Sequence, residues 1–394
     1  MPRFTYYTSH SREPVTAASL IWQEAIPLRL DTLLKNGVES VRYADYYQAA
    51  QSYLEKKFYE VVLRAVSREL DRDVKDSDVE EIRICLQKHG EFYHPARIEI
   101  VVHQKRLSLV LNVAISEIGR RFIEKEYHLL KRLNTEMQFH YVPQVYGFGH
   151  IPVSKGLNFA MFLGQWFDGY HEFHISIDPA AKKPKIMVWD ESRHRFFLTG
   201  EQTKTLYARA SKILTNYYNL ESFEQIVSWH HAAGDFIVKT VAEKLDLRLV
   251  SVRQYSRIFQ NHQHPPTGQI HSELILQALL VFLINLSIRM RLDRLDGIGE
   301  MVWSDPLAVE ATLIGFLEAL SMKPDVPSLP DSPLACFIAY LASCSQADLL
   351  ELSASIVKRF NPKMPGLTIV KKNLHDHVKT LYGSVQHILA ISTT

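Results

Sequence analysis

The hydrophobic pattern of the first ninety-five residues is mostly helical. From residue 15 to about 70, apolar residues such as Ala18, Ile21 and Ala25 recur at three- and four-residue steps, and the run from Tyr46 to Leu70 contains no glycine or proline. Such spacing is typical of helices that bury one face. The acidic and lysine-containing segment DRDVKDSDVEE then ends the pattern. We therefore predict an N-terminal helical extension over residues 1–95.

The period changes to two near residue 97. Apolar and polar residues alternate over 97–103 and again over 107–115, on either side of the polar tip QKR, which predicts a β-hairpin. An amphipathic helix is predicted over 118–133, followed by short strands in VPQVYGFG (142–149) and LNFAMFLGQWFDG (157–169). This order predicts an antiparallel sheet with one helix across it, because a parallel sheet would need βαβ repeats.

Helical spacing returns after Gly169 and is interrupted by a second hairpin, predicted over 236–253. The predicted helices cover 201–218, 222–230, 271–292, 306–321, 333–343, 346–360 and 374–388. The most apolar run, LILQALLVFLINLSI (274–288), is shorter than the roughly twenty residues that span a bilayer. It therefore predicts a core helix. We expect a small sheet lobe over 96–169 and a helical lobe over 170–394.

Composition narrows the class of protein. The 394 residues are 46% hydrophobic and 22% charged, with a formal net charge of +2, which is ordinary for a globular protein and gives no basic face for nucleic acid. The three cysteines lack metal-site or CxxC spacing, and the opening residues MPRFTYYTSHSREP lack the apolar run of a secretion signal. We expect a cytoplasmic protein that binds neither nucleic acid nor a membrane.

The order of elements over about residues 95–290 resembles the protein-kinase-like fold, in particular the aminoglycoside phosphotransferase and choline kinase branch. In that branch a hairpin lysine, a helix glutamate and an interlobe strap bind ATP. A loop of the form HGDxxxxN then leads into a hairpin that ends in a metal-binding aspartate. The resemblance implies an α+β fold of two lobes, with ATP and Mg²⁺ as cofactors that bind weakly, if at all, because several motif residues differ.

Two of these motif positions lie in the predicted sheet lobe. In LSLVLNVAIS (107–116), Asn112 occupies the position of the lysine, and its uncharged amide cannot neutralise a phosphate as an ammonium does. In EKEYHLLKRL (124–133), Glu126 best matches the helix glutamate. Its alternative role is a surface carboxylate on a helix.

The strap is matched by FAMFLGQWFDGYHEFHIS (159–176), in which an apolar strand runs into glycines and Asp168. Adenine needs a paired donor and acceptor against apolar walls. The resemblance therefore implies binding by backbone groups near Leu163, Gln165 and Trp166. The alternative is a buried strand that ends in a turn.

The segment SWHHAAGDFIVK (228–239) matches the catalytic loop in two ways. If Gly234-Asp235 matches the Gly-Asp of the motif, Asp235 is the base, but the loop is about five residues too short. If the spacing to the strand is kept, Asp235 takes the position of the metal-binding asparagine, and His230 or His231 accepts the proton. We favour this second match because strand register is tightly constrained. A turn-capping Asp235 is the alternative.

The hairpin that follows ends without a carboxylate. Arg253 occupies the position of the second metal ligand, or Ser251 if the register slips by two. An arginine there would repel Mg²⁺ and pair with a phosphate or with Asp235. As a solvated site residue, Asp235 would contribute only about 0–1 kcal/mol to stability.

Other catalytic classes have less support. A zinc or iron site from His171, His174 and Asp235 is chemically reasonable, but an i,i+3 pair on an extended segment points to opposite faces. The sequence contains no HExxH, no G-x-S-x-G and no strand-anchored GxGxxG. We therefore predict a degenerate, pseudokinase-like module that binds a nucleotide or small ligand or regulates a protein partner. The alternative is an active small-molecule phosphotransferase with altered catalytic residues.

Overall fold

The computed structural model describes residues 2–9, 11, 13–27, 41–90, 92–153, 157–190, 195–227, 229, 234–241, 244–257 and 272–392, and the side chains of all of these except Tyr59 and Ser392. The chain divides into two compact units, Met1–Asp168 and Gly169–Thr394. Helices and strands occur in both, and the class is α+β.

The first unit contains a mixed six-stranded sheet in the order β1-β2-β3-β4-β6-β5, parallel between β1 and β2 and otherwise antiparallel. Its strands are β1 (Arg3–Thr8), β2 (Val79–Leu86), β3 (His94–Val102), β4 (Lys105–Ala114), β5 (Val145–Pro152) and β6 (Asn158–Gln165). Its helices are α1 (Tyr43–Lys56), which continues through a π-helical turn (Phe58–Val62) into α2 (Leu63–Glu69), and α3 (Glu117–Glu136), with 3₁₀ turns at Leu20–Gln23 and Asp76–Asp78.

The predicted order of hairpin, helix, strand and strand is confirmed by β3, β4, α3, β5 and β6. The sheet also extends into the first ninety-five residues, where β1 and β2 were not predicted. The helical prediction for residues 15–70 therefore holds mainly for α1 and α2, and the end of DRDVKDSDVEE already belongs to β2, which lies between β1 and β3.

Helices cover both faces of this sheet. One face buries alternating residues such as Ile82, Ile98 and Leu111 with Tyr46 and Leu54 of α1 in a single apolar core. On the other face the ring of Tyr127 in α3 packs on Phe148 and Phe162, with centroids 5.4 and 6.0 Å away. Strict alternation on each strand thus sets which residues face α1 and which face α3.

The second unit combines short strands with six helices among its described residues. The strands are β7 (Glu172–Asp178), β8 (Lys183–Trp189), β9 (Phe196–Phe197), β10 (Glu224–Ile226), β11 (Phe236–Val241), β12 (Lys244–Leu249), β13 (Tyr255–Arg257), β14 (Leu292–Arg294) and β15 (Met301–Trp303). The helices are α4 (Gly200–Asn216), α5 (Ser272–Met290), α6 (Leu307–Leu320), α7 (Pro333–Ser343), α8 (Gln346–Lys358) and α9 (Leu367–Ser392).

Six of the seven helices predicted after Gly169 are present, and β11 pairs with β12 as the predicted hairpin. The helix predicted over 222–230 is wrong, because Glu224–Ile226 forms β10 and pairs with β13 about thirty residues later. The three-stranded sheet β7-β8-β9 was also not predicted. The partner of β10 lies outside the window in which hydrophobic spacing is read, whereas β7 and β8 form a local hairpin in which Asp178 pairs with Lys183.

The apolar helix α5 behaves as a core helix. Among the described residues, α5 is long and apolar enough to cross a bilayer. Helices α7 and α8 meet the same criterion only if they are taken together as one span, which is bent by 105°. However, 61% of the apolar window of α5 is buried inside the protein, as expected for the central helix of a soluble α+β structure. The structure is therefore compatible with a soluble protein.

Close packing between α4 and α6 yields a stability prediction. A Cβ atom added at Gly315 would lie 1.8 Å from the carbonyl oxygen of Ala208, whereas one added at Gly383 on α9 would meet nothing within 4 Å. We expect Gly315→Ala to lower the free energy of unfolding by about 1–3 kcal/mol through overpacking. Gly383→Ala should raise it by about 0.5–1 kcal/mol, because glycine costs entropy in a helix.

Urea unfolding of both variants and the wild type checks this prediction. Equal effects of the two substitutions would contradict the α4–α6 packing.

Candidate functional site

The hairpin β11–β12 brings two distant charged residues together. Phe236 pairs with Leu249, and the next step of the same ladder is the hydrogen bond from Val250 N to Asp235 O at 2.7 Å. Asp235 therefore begins the hairpin on one side, and Arg253 follows three residues after Val250 on the other. Register alone thus places these two side chains at one end of the hairpin.

Asp235 and Arg253 form a bidentate ion pair. Arg253 Nη2 donates to Asp235 Oδ1 at 2.6 Å, and Nη1 donates to Oδ2 at 3.0 Å. The Asp235 side chain is 1% exposed and that of Arg253 is 27% exposed. Two parallel charge-assisted bonds fix the guanidinium plane as well as its charge. The pairing proposed from the sequence is therefore present.

A second arginine lies close to this carboxylate. Arg289, near the end of α5, donates to the carbonyl oxygens of Val227 and Trp229, the latter at 2.7 Å, and its guanidinium lies 4.6 Å from the centre of the Trp229 ring. Burial lowers the pKa of Arg289 to about 10, and the charge of Asp235 opposes that shift. Arg289 is therefore still cationic at neutral pH, and its charge interacts with that of Asp235.

Burial of Asp235 changes the expected effect of removing it. The sequence predicts a solvated site residue here, with little influence on stability. A carboxylate with 1% exposure is dehydrated instead, so removing either partner leaves an uncompensated charge in a largely dry environment. His230 and His231, the predicted proton acceptors, lie outside the described residues.

The two hydrogen bonds from Arg253 determine which ligands the Asp235 carboxylate can bind. Both of its carboxylate oxygens are hydrogen-bonded to Arg253, so the positive charge of that guanidinium disfavours a divalent cation at the same oxygens. Among the described residues, no three His, Cys, Asp or Glu side chains group closely enough to hold a metal ion. Among the described residues, this cluster therefore presents a fixed guanidinium rather than a carboxylate that is available to a metal ion.

Asn112 and Glu126 lie in the first unit on β4 and α3. Asn112 pairs with Pro95 and Phe162, and Phe162 is in contact with α3, so Asn112 belongs to the α3 face of the sheet. Glu126 is 2% exposed and accepts a hydrogen bond from the phenol of Tyr93. A half-buried tyrosine thus donates a hydrogen bond to the buried carboxylate of Glu126.

Most of the residues proposed for adenine recognition belong to the sheet, where their backbones pair with neighbouring strands. The Leu163 side chain is fully buried in the core, and its backbone lies between Leu111 and Gly147. Gln165 N donates to Gln144 O at 2.8 Å. Any backbone recognition by the strap would therefore start at Trp166, after the ladder ends.

Arg97 holds the residues after β6 in a way that the sequence did not reveal. Its guanidinium lies 5.4 Å from the Trp166 ring centre, Nη2 contacts Asp168 Oδ1 at 3.3 Å, and Nε donates to Ser108 Oγ at 3.0 Å. Cation–π and hydrogen-bond contacts of this kind fix a side chain that is only partly buried. Arg97 is therefore a third arginine that orders a predicted ligand segment.

The histidines divide into two groups. His171 bridges to Val238 by two backbone hydrogen bonds, and His174 lies on β7 with its ring 4.6 Å from Trp189, so this part of the chain is extended, the geometry in which an i,i+3 pair points to opposite faces. The first unit contains a pair that was missed: His89 Nδ1 and His94 Nδ1 are 3.1 Å apart, and His89 Nε2 lies 3.1 Å from Tyr43 Oη. The two histidines are five residues apart, but Tyr43 is distant in sequence, so no local motif indicates the cluster.

Comparison with known proteins gives no assignment. No protein-family model matches this chain, and no curated protein matches its sequence significantly.

The histidine pair predicts a pH dependence of stability. Burial lowers the pKa of His94 to about 4, His89 acting in the same direction, and burial also lowers the pKa of His89. Because the unfolded chain titrates near 6.5, it binds more protons than the folded protein between these values. Above about pH 6.5 this titration does not lower the free energy of unfolding. As the pH falls towards 4, the free energy of unfolding decreases, by about 3 kcal/mol at most for His94.

The variant His94→Leu should therefore show a shallower loss of stability between pH 6.5 and 4 than the wild type in denaturant titrations. Substitution of the exposed His150 by Gln, the matched control, should leave the pH profile unchanged. Identical profiles for His94→Leu and the wild type would contradict the prediction.

Proposed function

We propose that this chain has a protein-kinase-like fold that has lost phosphoryl transfer and acts as a ligand-binding or regulatory module. The observation that carries the proposal is the bidentate pair of Asp235 and Arg253. It lies where the resemblance to aminoglycoside phosphotransferases and choline kinases implies a metal-binding centre. The proposal fits the absence of any matching family, because altered motif residues weaken sequence similarity.

The order of elements supports the fold part of the proposal. In the first unit, β3 and β4 form a hairpin, α3 follows, and the last strand β6 inserts beside β4. In the second unit, the β11–β12 hairpin is followed by helices α5 to α9, interrupted only by short strands. The resemblance implies this sequence of sheet, helix, strap and hairpin.

Electrostatics supports the loss of metal chemistry. In the family, the two ends of the hairpin carry metal ligands, and two oxygen ligands close together need a cation between them. Here the two ends carry one carboxylate and one guanidinium, which neutralise each other without a metal ion. Arg253 thus supplies the countercharge that Mg²⁺ would otherwise supply.

The first unit supports the same conclusion independently. Glu126 is bonded to Tyr93, and Asn112 occupies the position of the lysine. A lysine ammonium and its glutamate orient nucleotide phosphates in active kinases. Replacement of that ion pair by a phenol–carboxylate bond and an amide removes the charge but leaves the sheet intact. The module would then bind its ligand weakly and without turnover.

The corresponding prediction concerns Mg²⁺. The wild-type protein should form no ADP from ATP and Mg²⁺, and Mg²⁺ should leave its melting temperature unchanged, because Arg253 already satisfies Asp235. The variant Arg253→Asp places two carboxylates together and should gain Mg²⁺- or Mn²⁺-dependent stabilisation. Arg257→Asp, an exposed change of the same charge on β13, is the matched control and should gain none.

Thermal melts with and without the metal ion, together with an ADP-release assay, provide the measurement. Metal-dependent ADP formation by the wild type that disappears in Asp235→Asn would overturn the proposal in favour of an active phosphotransferase.

A further inference from the structure

The connection between β2 and β3 is attached to α1 through the pair His89 and His94. Tyr43 Oη on α1 lies 3.1 Å from His89 Nε2, and the two rings meet edge to face with their centroids 5.9 Å apart. Tyr46 Oη donates to the carbonyl oxygen of His94 at 2.8 Å. Both contacts come from the helix that covers one face of the six-stranded sheet.

The same connection is attached to α3 on the other face of the sheet. The Phe92 ring lies 4.4 Å from that of Phe122, and Tyr93 donates a hydrogen bond to Glu126. A Cβ atom added at Gly119 would lie 2.2 Å from Phe92 O, so the connection and the first turn of α3 are in close backbone contact. One short segment therefore contacts the helices on both faces.

The contact between the two imidazoles depends on how many protons they carry. Their Nδ1 atoms are 3.1 Å apart, so in the neutral pair one Nδ1 donates and the other accepts. One added proton on His89 preserves this bond and lets Nε2 donate to Tyr43 Oη. A second proton makes both Nδ1 atoms donors and places two positive charges side by side, which opposes the contact.

Burial decides which ring can leave. His94 is 3% exposed and pairs with Val113 on β4, whereas His89 is exposed. Burial lowers the pKa of His94 to about 4, and the charge of His89 acts in the same direction. The ring of His89 is therefore the one that can turn towards solvent when both are protonated.

Titratable groups on the neighbouring elements complete the surroundings of the pair. They are the phenols of Tyr43 and Tyr46 on α1, the carboxylate of Glu24 that acts on Tyr43, the amine of Lys88 next to His89 in the chain, and Glu126 of α3 behind Tyr93. Lys88 adds positive charge beside His89, which favours release once both imidazoles are charged.

We infer that His89 and His94 form an acid-operated latch that couples α1 to α3. The second proton, taken from solvent, separates His89 from His94 and from Tyr43, so the connection loses its side-chain attachment to α1. Because Phe92 and Tyr93 belong to the same short connection, their contacts with α3 loosen in the same step. The latch rests on contacts within the first unit and does not depend on the proposed function.

Hydrogen–deuterium exchange of the full chain at pH 7 and pH 4.5 tests the latch, with each rate corrected for the intrinsic rate at that pH. Exchange should become at least tenfold faster at pH 4.5 both in the connection, residues 86–94, and at the start of α3, residues 117–126. Strand β6 should keep its protection, because opening is local. Faster exchange in the connection alone, in β6 to the same extent, or nowhere would overturn the inference.

Variants of the pair identify the groups that titrate. His89→Phe keeps a ring against Tyr43 but takes up no proton, and His94→Leu removes the buried imidazole. In each folded variant, the acid-induced change at the start of α3 should fall below twofold, and the exposed His89 makes the first variant the less disruptive one. The control His150→Gln should behave as the wild type does. An unchanged tenfold effect in His89→Phe, or its loss in His150→Gln, would overturn the latch.

These outcomes are distinct from failure of the proposed function. Mg²⁺-dependent ADP formation would refute the loss of phosphoryl transfer and leave the latch standing. Acid-independent exchange at the start of α3 would refute only the latch.

Discussion

A buried carboxylate must be paired, and this constraint shapes the centre of the second unit. Asp235 is 1% exposed, and an isolated ionised carboxylate in such a place would be strongly unfavourable. The hairpin register solves the problem by returning the chain to Arg253, which binds both oxygens. The position of the hairpin, the orientation of Arg253 and the chemistry available at this end of the hairpin all depend on that pair.

The same pair links stability to function. In an active enzyme of the proposed kinase-like class, a metal ion would compensate the negative charge and would exchange with solvent. A covalently attached guanidinium compensates it permanently, and Arg289 on α5 adds a second cation. In the proposed module the buried carboxylate is therefore compensated without a metal ion, which disfavours metal-assisted chemistry.

Regular local patterns made part of this fold predictable. The alternation in β3 and β4 and the amphipathic spacing of α3 each lie within a short window, so the sheet-and-helix core and the β11–β12 hairpin were found. Strands β1 and β2 were missed because β1 pairs with a strand more than seventy residues later, and an acidic run masks the start of β2. Strand β10 was assigned to a helix for the same reason, since its partner β13 lies about thirty residues away.

The candidate site was predictable to a similar extent. Asp235 and Arg253 were identified because strand register relates them, and their hydrogen bond is present. Arg289, Tyr93 and Arg97 were not identified, because each reaches its partner through tertiary packing, which no spacing rule records. The burial of Asp235 was also misjudged, since its position directly before a strand gives no measure of how much of its side chain is covered.

The most direct test of the central claim is a double-mutant cycle on Asp235 and Arg253. The variants Asp235→Asn, Arg253→Gln and their combination are unfolded in urea, once with EDTA and once with Mg²⁺. If Arg253 replaces the metal ion, the coupling free energy should be about 2–4 kcal/mol and should not change with Mg²⁺. A coupling below about 0.5 kcal/mol, or one that falls when Mg²⁺ is added, would contradict the account.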